Sequence, residues 1–401
     1  MMRIVSTFPY IYIFIWIFLS FLPFVYYSTK VYIVLLFFLA FAALGYTCYF
    51  VANYKLIPFF KCTLLFVGIL SIYGIGHYLV ADDIFWPAGK IFIETNRYML
   101  WLLISMLSVV PIYIFTCRGE LTEKGMKILF FVMLISSIYA FNVSQQQMMA
   151  QAELLQTGEE EFTITVVYYF LSILPLVVLF KKNILLQFVL FSIFFAFFIL
   201  SAKRGTILLG SICILFMMWG AFSKYSIKKK ALFLTISLVF LLGLYEFTMY
   251  HFQNSPYFAL RYRDTLNGYS SQRDVYFSTI LEYMDNNFSI KSFLFGIGAQ
   301  NTLKANVSFA HNDWLAIFLE QGVFGLLAYS LFWVGFIYTW IKSRCNSDSF
   351  IVIGSLVIIG FGKSLFSMFY LPVTEIMIVS AGFYSIALGY FLGKNFCLEH
   401  R

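Results

Sequence analysis

The sequence predicts an all-α protein that crosses a membrane many times. Of its 401 residues, 61% are hydrophobic and only 11% are charged, and a water-soluble domain with so few charges could not cover its surface. Apolar runs recur along the whole chain, and a helix needs about 20 such residues to cross the hydrocarbon core. The runs are too uniformly apolar for the alternating strands of a membrane barrel, so we expect helices.

The first predicted span begins near the N-terminus. This apolar run is long enough to cross a bilayer and is not followed by a small-residue cleavage site, so we interpret it as an uncleaved helix rather than a signal peptide. Further runs follow at short intervals, and together they form a single membrane domain over residues 1–401. The twelve predicted spans are residues 8–27, 31–51, 62–80, 98–117, 128–146, 162–180, 184–200, 205–222, 231–250, 323–341, 350–370 and 374–393.

Charges in the short loops predict that both termini are cytoplasmic, because Lys and Arg concentrate on the inner side. With this orientation the outer loops carry acidic residues such as Asp82, Asp83 and the run 159–161. The net charge of +8 is then mainly a topology signal, and its dispersal among inner loops argues against nucleic-acid binding. No disulfide is expected, since no cysteine falls in a predicted outer segment. The inner loops carry Lys55, Lys61, Arg118, Lys124, Lys127, Lys181, Lys182, Lys224, Lys228, Lys229, Lys230, Lys342 and Arg344.

One short loop departs from this charge rule. Ser201-Ala202-Lys203-Arg204-Gly205 lies between the seventh and eighth predicted spans and therefore faces outward. Two adjacent cations there are either a tolerated exception that reaches lipid headgroups or an anion site at the outer membrane edge. We favour the anion site.

The long gap between spans, residues 251–312, is predicted to be an outer segment that covers the helix bundle as a lid or wall, because about 60 residues cannot build a sizeable core. Its Ser271-Gln272-Arg273-Asp274 stretch is typical of a helix start. Arg273 then lies in a first turn, where the helix dipole disfavours a cation unless an anion binds beside it; a solvated arginine is the simpler alternative. Apolar residues at helical spacing follow it: Tyr276, Ile280, Tyr283, Met284 and Phe288.

The segment ends in a polar cluster, His311-Asn312-Asp313, directly before an apolar run. Asn312 or Asp313 can cap a short helix over residues 314–321 that ends at Gly322. A helix N-terminus disfavours a charged imidazolium, so His311 is a candidate general base. Ionisable groups at a membrane edge are costly and mark candidate sites, although a structural interfacial histidine is the alternative. The upstream turn Phe295-Gly296-Ile297-Gly298 is expected to be a packing turn.

Together these residues resemble the superfamily of O-antigen polymerases and O-antigen ligases, which are bacterial envelope glycosyltransferases. The pattern His-Asn-x-x-Leu…Glu-x-Gly-x-x-Gly is matched by His311, Asn312, Leu315, Glu320, Gly322 and Gly325. Upstream, an Arg-led helix and a Gly-x-Gly turn are matched by Arg273, Gly296 and Gly298, and a Ser-x-x-Arg-Gly loop by Ser201, Arg204 and Gly205. The resemblance covers about residues 195–340.

The resemblance implies a multi-pass enzyme of the bacterial inner membrane with its site facing the periplasm. The donor would be a glycan on a polyprenyl diphosphate, and the acceptor a second glycan or lipid A-core, with a chain-length regulator as a possible protein partner. His311, Arg204 and Arg273 are the implied catalytic residues, because a base must take the acceptor proton and guanidinium groups match diphosphate oxygens. No cofactor or metal is expected. The expected substrate-binding residues are Lys203, Arg261, Arg263, Asn312, Glu320 and Lys363.

Lys363 lies inside a predicted span, near its outer end, and Glu375 begins the next one. The two either pair with each other or Lys363 lines the diphosphate site; Glu246 and His77 are weaker candidates. Among functions, a polymerase that joins lipid-linked repeat units leads and a ligase is the alternative. A secondary transporter is the remaining one, and the chain shows no repeated halves of the kind common in transporters.

Overall fold

The computed structural model describes residues 7–22, 29–80, 99–155, 164–222, 227–254, 263, 273–299, 301–305, 307, 310–370 and 374–396. Within these residues every regular element is a helix, which confirms the predicted all-α class. Short 3-10 turns occupy Asn301–Ala305 and Ser343–Cys345. The α-helices are α1 (Phe8–Leu19), α2 (Thr29–Asn53), α3 (Pro58–Val80), α4 (Met99–Cys117), α5 (Glu123–Leu155), α6 (Val167–Ile173, continued as a 3-10 helix over Leu174–Phe180), α7 (Ile184–Leu200), α8 (Arg204–Phe222), α9 (Ile227–Asn254), α10 (Arg273–Asn287), α11 (Ile290–Phe295), α12 (Asp313–Lys342), α13 (Ser347–Phe366) and α14 (Glu375–Phe396).

The membrane character of the chain is confirmed by seven helices that are long and apolar enough to cross a bilayer. These are α2 to α5 and α12 to α14, and four shorter apolar helices accompany them: α1, α6 with its continuation, α7 and α8. Each of the twelve predicted spans overlaps at least one described helix. The number of crossings and the side on which the termini lie remain predictions.

Two prolines explain why α4 and α6 are irregular. Pro111 lacks the N–H that would bond to the carbonyl of Leu107, and the α-helical pattern is interrupted at Ser108. Pro175 is the second residue of the 3-10 helix into which α6 tightens, and it lacks the N–H that would bond to the carbonyl of Leu171 in an α-helix. Both irregularities lie within buried helices, where tertiary packing holds the chain.

The bundle is held by one extensive apolar core. Helix α12 packs along α3, α4 along α14, and α8 along α13, and large side chains such as Tyr12, Trp16 and Tyr113 are almost completely buried between helices. Other apolar side chains remain exposed on the outer helix faces, for example Phe41 with 69% of its surface accessible. Large apolar side chains that face outward suit contact with lipid better than contact with water.

The described part of the predicted lid has a small core of its own. The apolar face predicted for α10 packs there, as Tyr276, Tyr283, Met284 and Phe288 surround the buried Ile280. This second cluster rests on the first half of α12 and on the chain before it: Ala305, Val307, Ala310, Ala316 and Leu319. The described residues of the segment therefore pack against α12, and the role of the segment as a lid or wall stays a prediction.

The expectation that no cysteine is paired is wrong. Cys117, at the end of α4, is disulfide-bonded. Residues Cys48, Cys62, Cys213 and Cys345 are free thiols. The sequence argument failed because it used the predicted side of the membrane alone, and that argument does not consider which cysteines the helix packing brings together.

Candidate functional site

Two lysines from different helices meet on one buried aromatic ring. The ammonium nitrogen Nζ of Lys203 lies 4.5 Å from the centroid of the Tyr168 ring, and Nζ of Lys363 lies 4.6 Å from the same centroid. Lys203 precedes α8, Lys363 is in the last turn of α13, and Tyr168 is near the start of α6. Ammonium groups over an aromatic face are attracted to its negative quadrupole. We call Tyr168, Lys203 and Lys363 the cation cluster.

A sharp turn in the backbone delivers Lys203 to this cluster. Ala202 has φ of 50°, in the left-handed region that residues with a Cβ rarely occupy. The hydroxyl of the buried Ser201 holds the turn: its Oγ donates to the carbonyl of Phe198 at 2.7 Å and accepts from the N–H of Lys203 at 3.2 Å. A strained backbone conformation that is held in place by surrounding contacts is common at ligand sites.

Ser367 links Tyr168 to the backbone of Lys363. The Tyr168 hydroxyl hydrogen-bonds to Oγ of Ser367 at 3.2 Å, and the N–H of Ser367 donates to the carbonyl of Lys363 at 2.8 Å. Lys363 is only 7% exposed, so its ammonium group has lost most of its water. Such a cation requires a compensating partner, and an aromatic face supplies part of that compensation.

His311 and Arg273 approach the same region from the lid. Arg273 is the first residue of α10, as predicted, and Tyr276 follows one turn later on the same face. The Tyr276 ring stacks on the His311 imidazole, with centroids 5.9 Å apart and planes 23° apart. Arg273 also lies within electrostatic range of Tyr168. The helix α10 therefore connects the histidine to the cation cluster.

The backbone at His311 is strained like that at Ala202. His311 has φ of 51°, directly before the N-cap of α12. Asn312 is that cap: its Oδ1 accepts from the N–H of Leu315 at 3.0 Å, and its Nδ2 donates to the carbonyl of Leu365 at 3.2 Å. The cap predicted from the sequence is confirmed. The position of Asn312 shows a structural role, since it joins α12 to the end of α13.

Asp313 is a fully buried carboxylate that holds a second chain segment in place. Its Oδ2 accepts from the Tyr329 hydroxyl at 2.8 Å and from the N–H of Phe369 at 3.0 Å and of Tyr370 at 3.3 Å. Hydrogen bonds to a carboxylate are stronger than those between neutral groups. Asp313 also interacts electrostatically with Lys363. It thus fixes the turn after α13, and with it the end of the helix that carries Lys363.

The remaining motif residues form a backbone contact between the predicted lid and α12, which we call the dock. Gly322 interrupts α12 with φ of 64° and ψ of −158°, and the carbonyl of Glu320 accepts from the N–H of Gly298 at 2.9 Å. A Cβ on Gly296 would lie 2.2 Å from the carbonyl of Glu320, so only glycine permits this approach. The packing turn expected at Gly296 is confirmed.

The Glu320 side chain is buried at the helix break, where Nε2 of Gln321 lies 3.3 Å from its Oε2. Tyr73 of α3 supports the same break by donating its hydroxyl to the carbonyl of Gln321 at 3.0 Å. A helix break frees carbonyl groups that need new donors, and within a membrane these donors come from neighbouring helices.

Arg204 adjoins this assembly in the chain, and the remaining predicted residues lie elsewhere or outside the described part of the chain. Arg204 directly follows Lys203 and begins α8, whereas Arg263 is exposed and makes no contact with the other candidates in the described part of the chain. Arg261, the Glu375 side chain and the His77 side chain lie outside the described residues. Glu246 is exposed on α9.

Three important residues were not found from the sequence: Tyr168, Tyr276 as the partner of His311, and Ser367. A tyrosine in an apolar run resembles any other core aromatic, and no local pattern distinguishes it. Comparison with models of known protein families and with curated protein sequences gives no match. Chemically, the site combines an imidazole at a helix N-terminus with two ammonium groups on one buried aromatic ring and a guanidinium group within electrostatic range of it. It can accept a proton and bind a multiply charged anion.

Proposed function

We propose that the protein is a membrane glycosyltransferase that joins polyprenyl-diphosphate-linked glycan units into a surface polysaccharide. The observation that carries this proposal is the contact of Lys203 and Lys363 with the buried ring of Tyr168. Arg273 lies within electrostatic range of that ring, and His311 stacks on Tyr276 of the helix that Arg273 begins. A transfer from a lipid diphosphate needs both elements: cations for the leaving group and a base for the acceptor.

In the proposed reaction the acceptor hydroxyl oxygen attacks the anomeric carbon of the donor sugar. The bond between that carbon and the diphosphate oxygen breaks, and the lipid diphosphate leaves with the electron pair. His311 takes the proton of the hydroxyl, and its position beside a helix N-terminus favours the neutral, proton-accepting imidazole. Arg273 and Arg204, with Lys203 and Lys363, would stabilise the charge on the leaving phosphates.

The proposal includes a twelve-span topology with both termini in the cytoplasm and the lid in the periplasm. Charge in the predicted loops supports it, since the basic residues concentrate on the cytoplasmic side. Lys203 and the lid then share the outer side, where a lipid-linked glycan would be presented. The contact region between Tyr168 and the two lysines agrees with such an arrangement, because the start of α6 and the ends of α7 and α13 would lie at the same membrane face.

The test uses purified protein in bilayers supplied with a polyprenyl-diphosphate-linked repeat unit. We expect a ladder of longer glycans from this substrate alone, and a rate lower by roughly 10²–10⁴-fold for His311→Ala, as is typical when a general base is removed. His311→Gln is the matched variant, because it keeps a polar side chain at the same strained position but cannot act as the base.

Two outcomes favour other functions. Transfer that appears only after lipid A-core is added would identify a ligase with the same donor site. Sugar flux into proteoliposomes without formation of a glycosidic bond would contradict the enzyme and favour the transporter. A ladder of equal rate with His311→Ala would leave the polymerase standing but remove His311 from its chemistry.

A further inference from the structure

We infer that Tyr168 is a positioning residue whose ring holds the ammonium groups of Lys203 and Lys363 side by side, as a two-cation clamp for a diphosphate. The inference rests on the proposed function for the identity of its ligand. Its geometry does not depend on that function, since both lysines contact the same ring within 4.6 Å of the centroid.

The ring is itself held on more than one side. Its hydroxyl hydrogen-bonds to Ser367, and the Tyr168 carbonyl accepts a hydrogen bond from Oγ of Ser380 at 3.1 Å. Tyr168 is 3% exposed. A buried ring with its hydroxyl and backbone both bonded has little freedom, so lysine stems that rest on it are restricted as well. This reduces the conformational entropy lost when a ligand binds.

The two ammonium groups bring like charges to one ring. Since each lies within 4.6 Å of one centroid, they are at most about 9 Å apart, and two like charges at that distance repel each other in a poorly solvated site. Neither lysine nor Arg273 forms a salt bridge with a carboxylate in the part of the chain that the structure describes. The cluster is therefore built with an excess of positive charge.

The buried carboxylate of Asp313 is already engaged by other groups. Asp313 interacts with Lys363 electrostatically, but its oxygens accept bonds from Tyr329 and from the backbone of Phe369 and Tyr370. Three hydrogen-bond donors thus share the carboxylate that interacts with Lys363. An anion with two charged groups suits two separated cations better than a single phosphate does.

The surroundings of Lys363 are largely apolar. The same lysine lines a small cavity of about 30 Å³ inside the bundle, together with Phe332, Met368, Phe369 and Met377. The donor required by the proposed function is an amphiphile, with an apolar chain and a charged diphosphate that would lie at the cluster. Farnesyl diphosphate is a tractable probe with this combination, and farnesyl monophosphate differs from it by one phosphate.

The experiment measures the dissociation constants of both probes with the full-length protein in lipid nanodiscs. We expect the wild type to bind the diphosphate at least about tenfold more tightly than the monophosphate. Tyr168→Leu, which removes the ring, should lose most of that preference, and Tyr168→Phe should keep it to within about threefold because the ring face remains. Lys203→Gln and Lys363→Met should each reduce the preference while leaving monophosphate binding less affected.

A matched control is available at another cation–aromatic contact. Nζ of Lys342 lies 5.1 Å from the ring centroid of the exposed Tyr338, far along α12 from the cluster. Tyr338→Leu removes a similar contact, and we expect it to leave both dissociation constants unchanged. The melting temperature of each variant, measured in the same nanodiscs, shows whether a loss of diphosphate preference occurs in a folded protein or results from unfolding.

Three results would overturn the clamp: an unchanged preference in Tyr168→Leu, an equal loss in Tyr168→Phe and Tyr168→Leu, or no preference for diphosphate in the wild type. Because the probes carry no glycan, these results do not depend on glycosyl transfer. The expected binding pattern without any transfer activity would contradict the proposed function while supporting a diphosphate site. Transfer activity without this binding pattern would support the proposed function while contradicting the diphosphate clamp.

Discussion

Asp313 is the residue on which the local structure of the site depends most directly. Its carboxylate accepts from one hydroxyl and two backbone N–H groups, in a fully buried position. We expect Asp313→Asn to destabilise the protein by about 1–3 kcal/mol, because an amide presents an N–H₂ group to donors and leaves at least one of them without an acceptor. The change should appear as a lower melting temperature in detergent. Because aspartate and asparagine have nearly the same volume, altered packing would not account for it.

The control for this prediction is Glu123→Gln, at an exposed ion cluster. Glu123 pairs with Lys127 at 2.9 Å and with Lys394 at 3.1 Å, and 47% of its side chain is accessible. Exposed ion pairs contribute little, about 0–1 kcal/mol, so the same chemical change should barely move the melting temperature there. Equal shifts for both variants would contradict the anchoring role of Asp313.

At the scale of elements, the broken helix α12 and the lid form one unit. Gly322 has a left-handed backbone, and a Cβ on it would lie 2.5 Å from the carbonyl of Leu294. We expect Gly322→Ala to separate the lid from α12, since an alanine adds about 1–3 kcal/mol of backbone strain in this glycine-restricted region and a clash that only a backbone shift can relieve. Faster proteolysis within residues 273–299 and loss of glycan assembly are the expected readouts.

Gly68→Ala on α3 is the corresponding control. A Cβ on Gly68 meets nothing within 4 Å, and alanine is a better helix former than glycine. This variant should be as resistant to protease as the wild type, or more so. If Gly322→Ala behaved in the same way, the dock between the lid and α12 would not depend on its glycines.

The elements that could be predicted from the sequence are those specified by local patterns. The apolar face of α10, the Asn312 cap and the helix end at Gly322 follow from spacing and cap chemistry, and the structure confirms them. The role of Gly322 as a break inside a longer helix, with its dock on Gly296, could not be predicted. It depends on contacts between two backbone segments. Nothing in the sequence around either glycine indicates which segment it will contact.

At the scale of the whole molecule, the site is assembled from segments far apart in the chain. The sequence predicted Lys203, Arg273, His311 and Lys363 separately, as charges in costly places. The ring of Tyr168, which contacts Lys203 and Lys363, could not be predicted, since only the packing of α6 against the other helices brings it to the two lysines. The alternative pairing of Lys363 with Glu375 stays a prediction, because the Glu375 side chain lies outside the described residues.

The orientation of the molecule is the property on which the proposed function depends, and two cysteines can test it. Ser278 is exposed on α10, and the native Cys345 is exposed just after α12. In a chain whose other cysteines are replaced by alanine, we expect Ser278→Cys to react with a membrane-impermeant maleimide in spheroplasts. Cys345 should react only in inverted vesicles, because α12 is long enough to separate the two sides. The reverse pattern would place the lid and the cation cluster in the cytoplasm. A glycan presented at the outer leaflet could not reach it there, so the proposed transfer would be excluded whatever the affinity of the cluster for diphosphate.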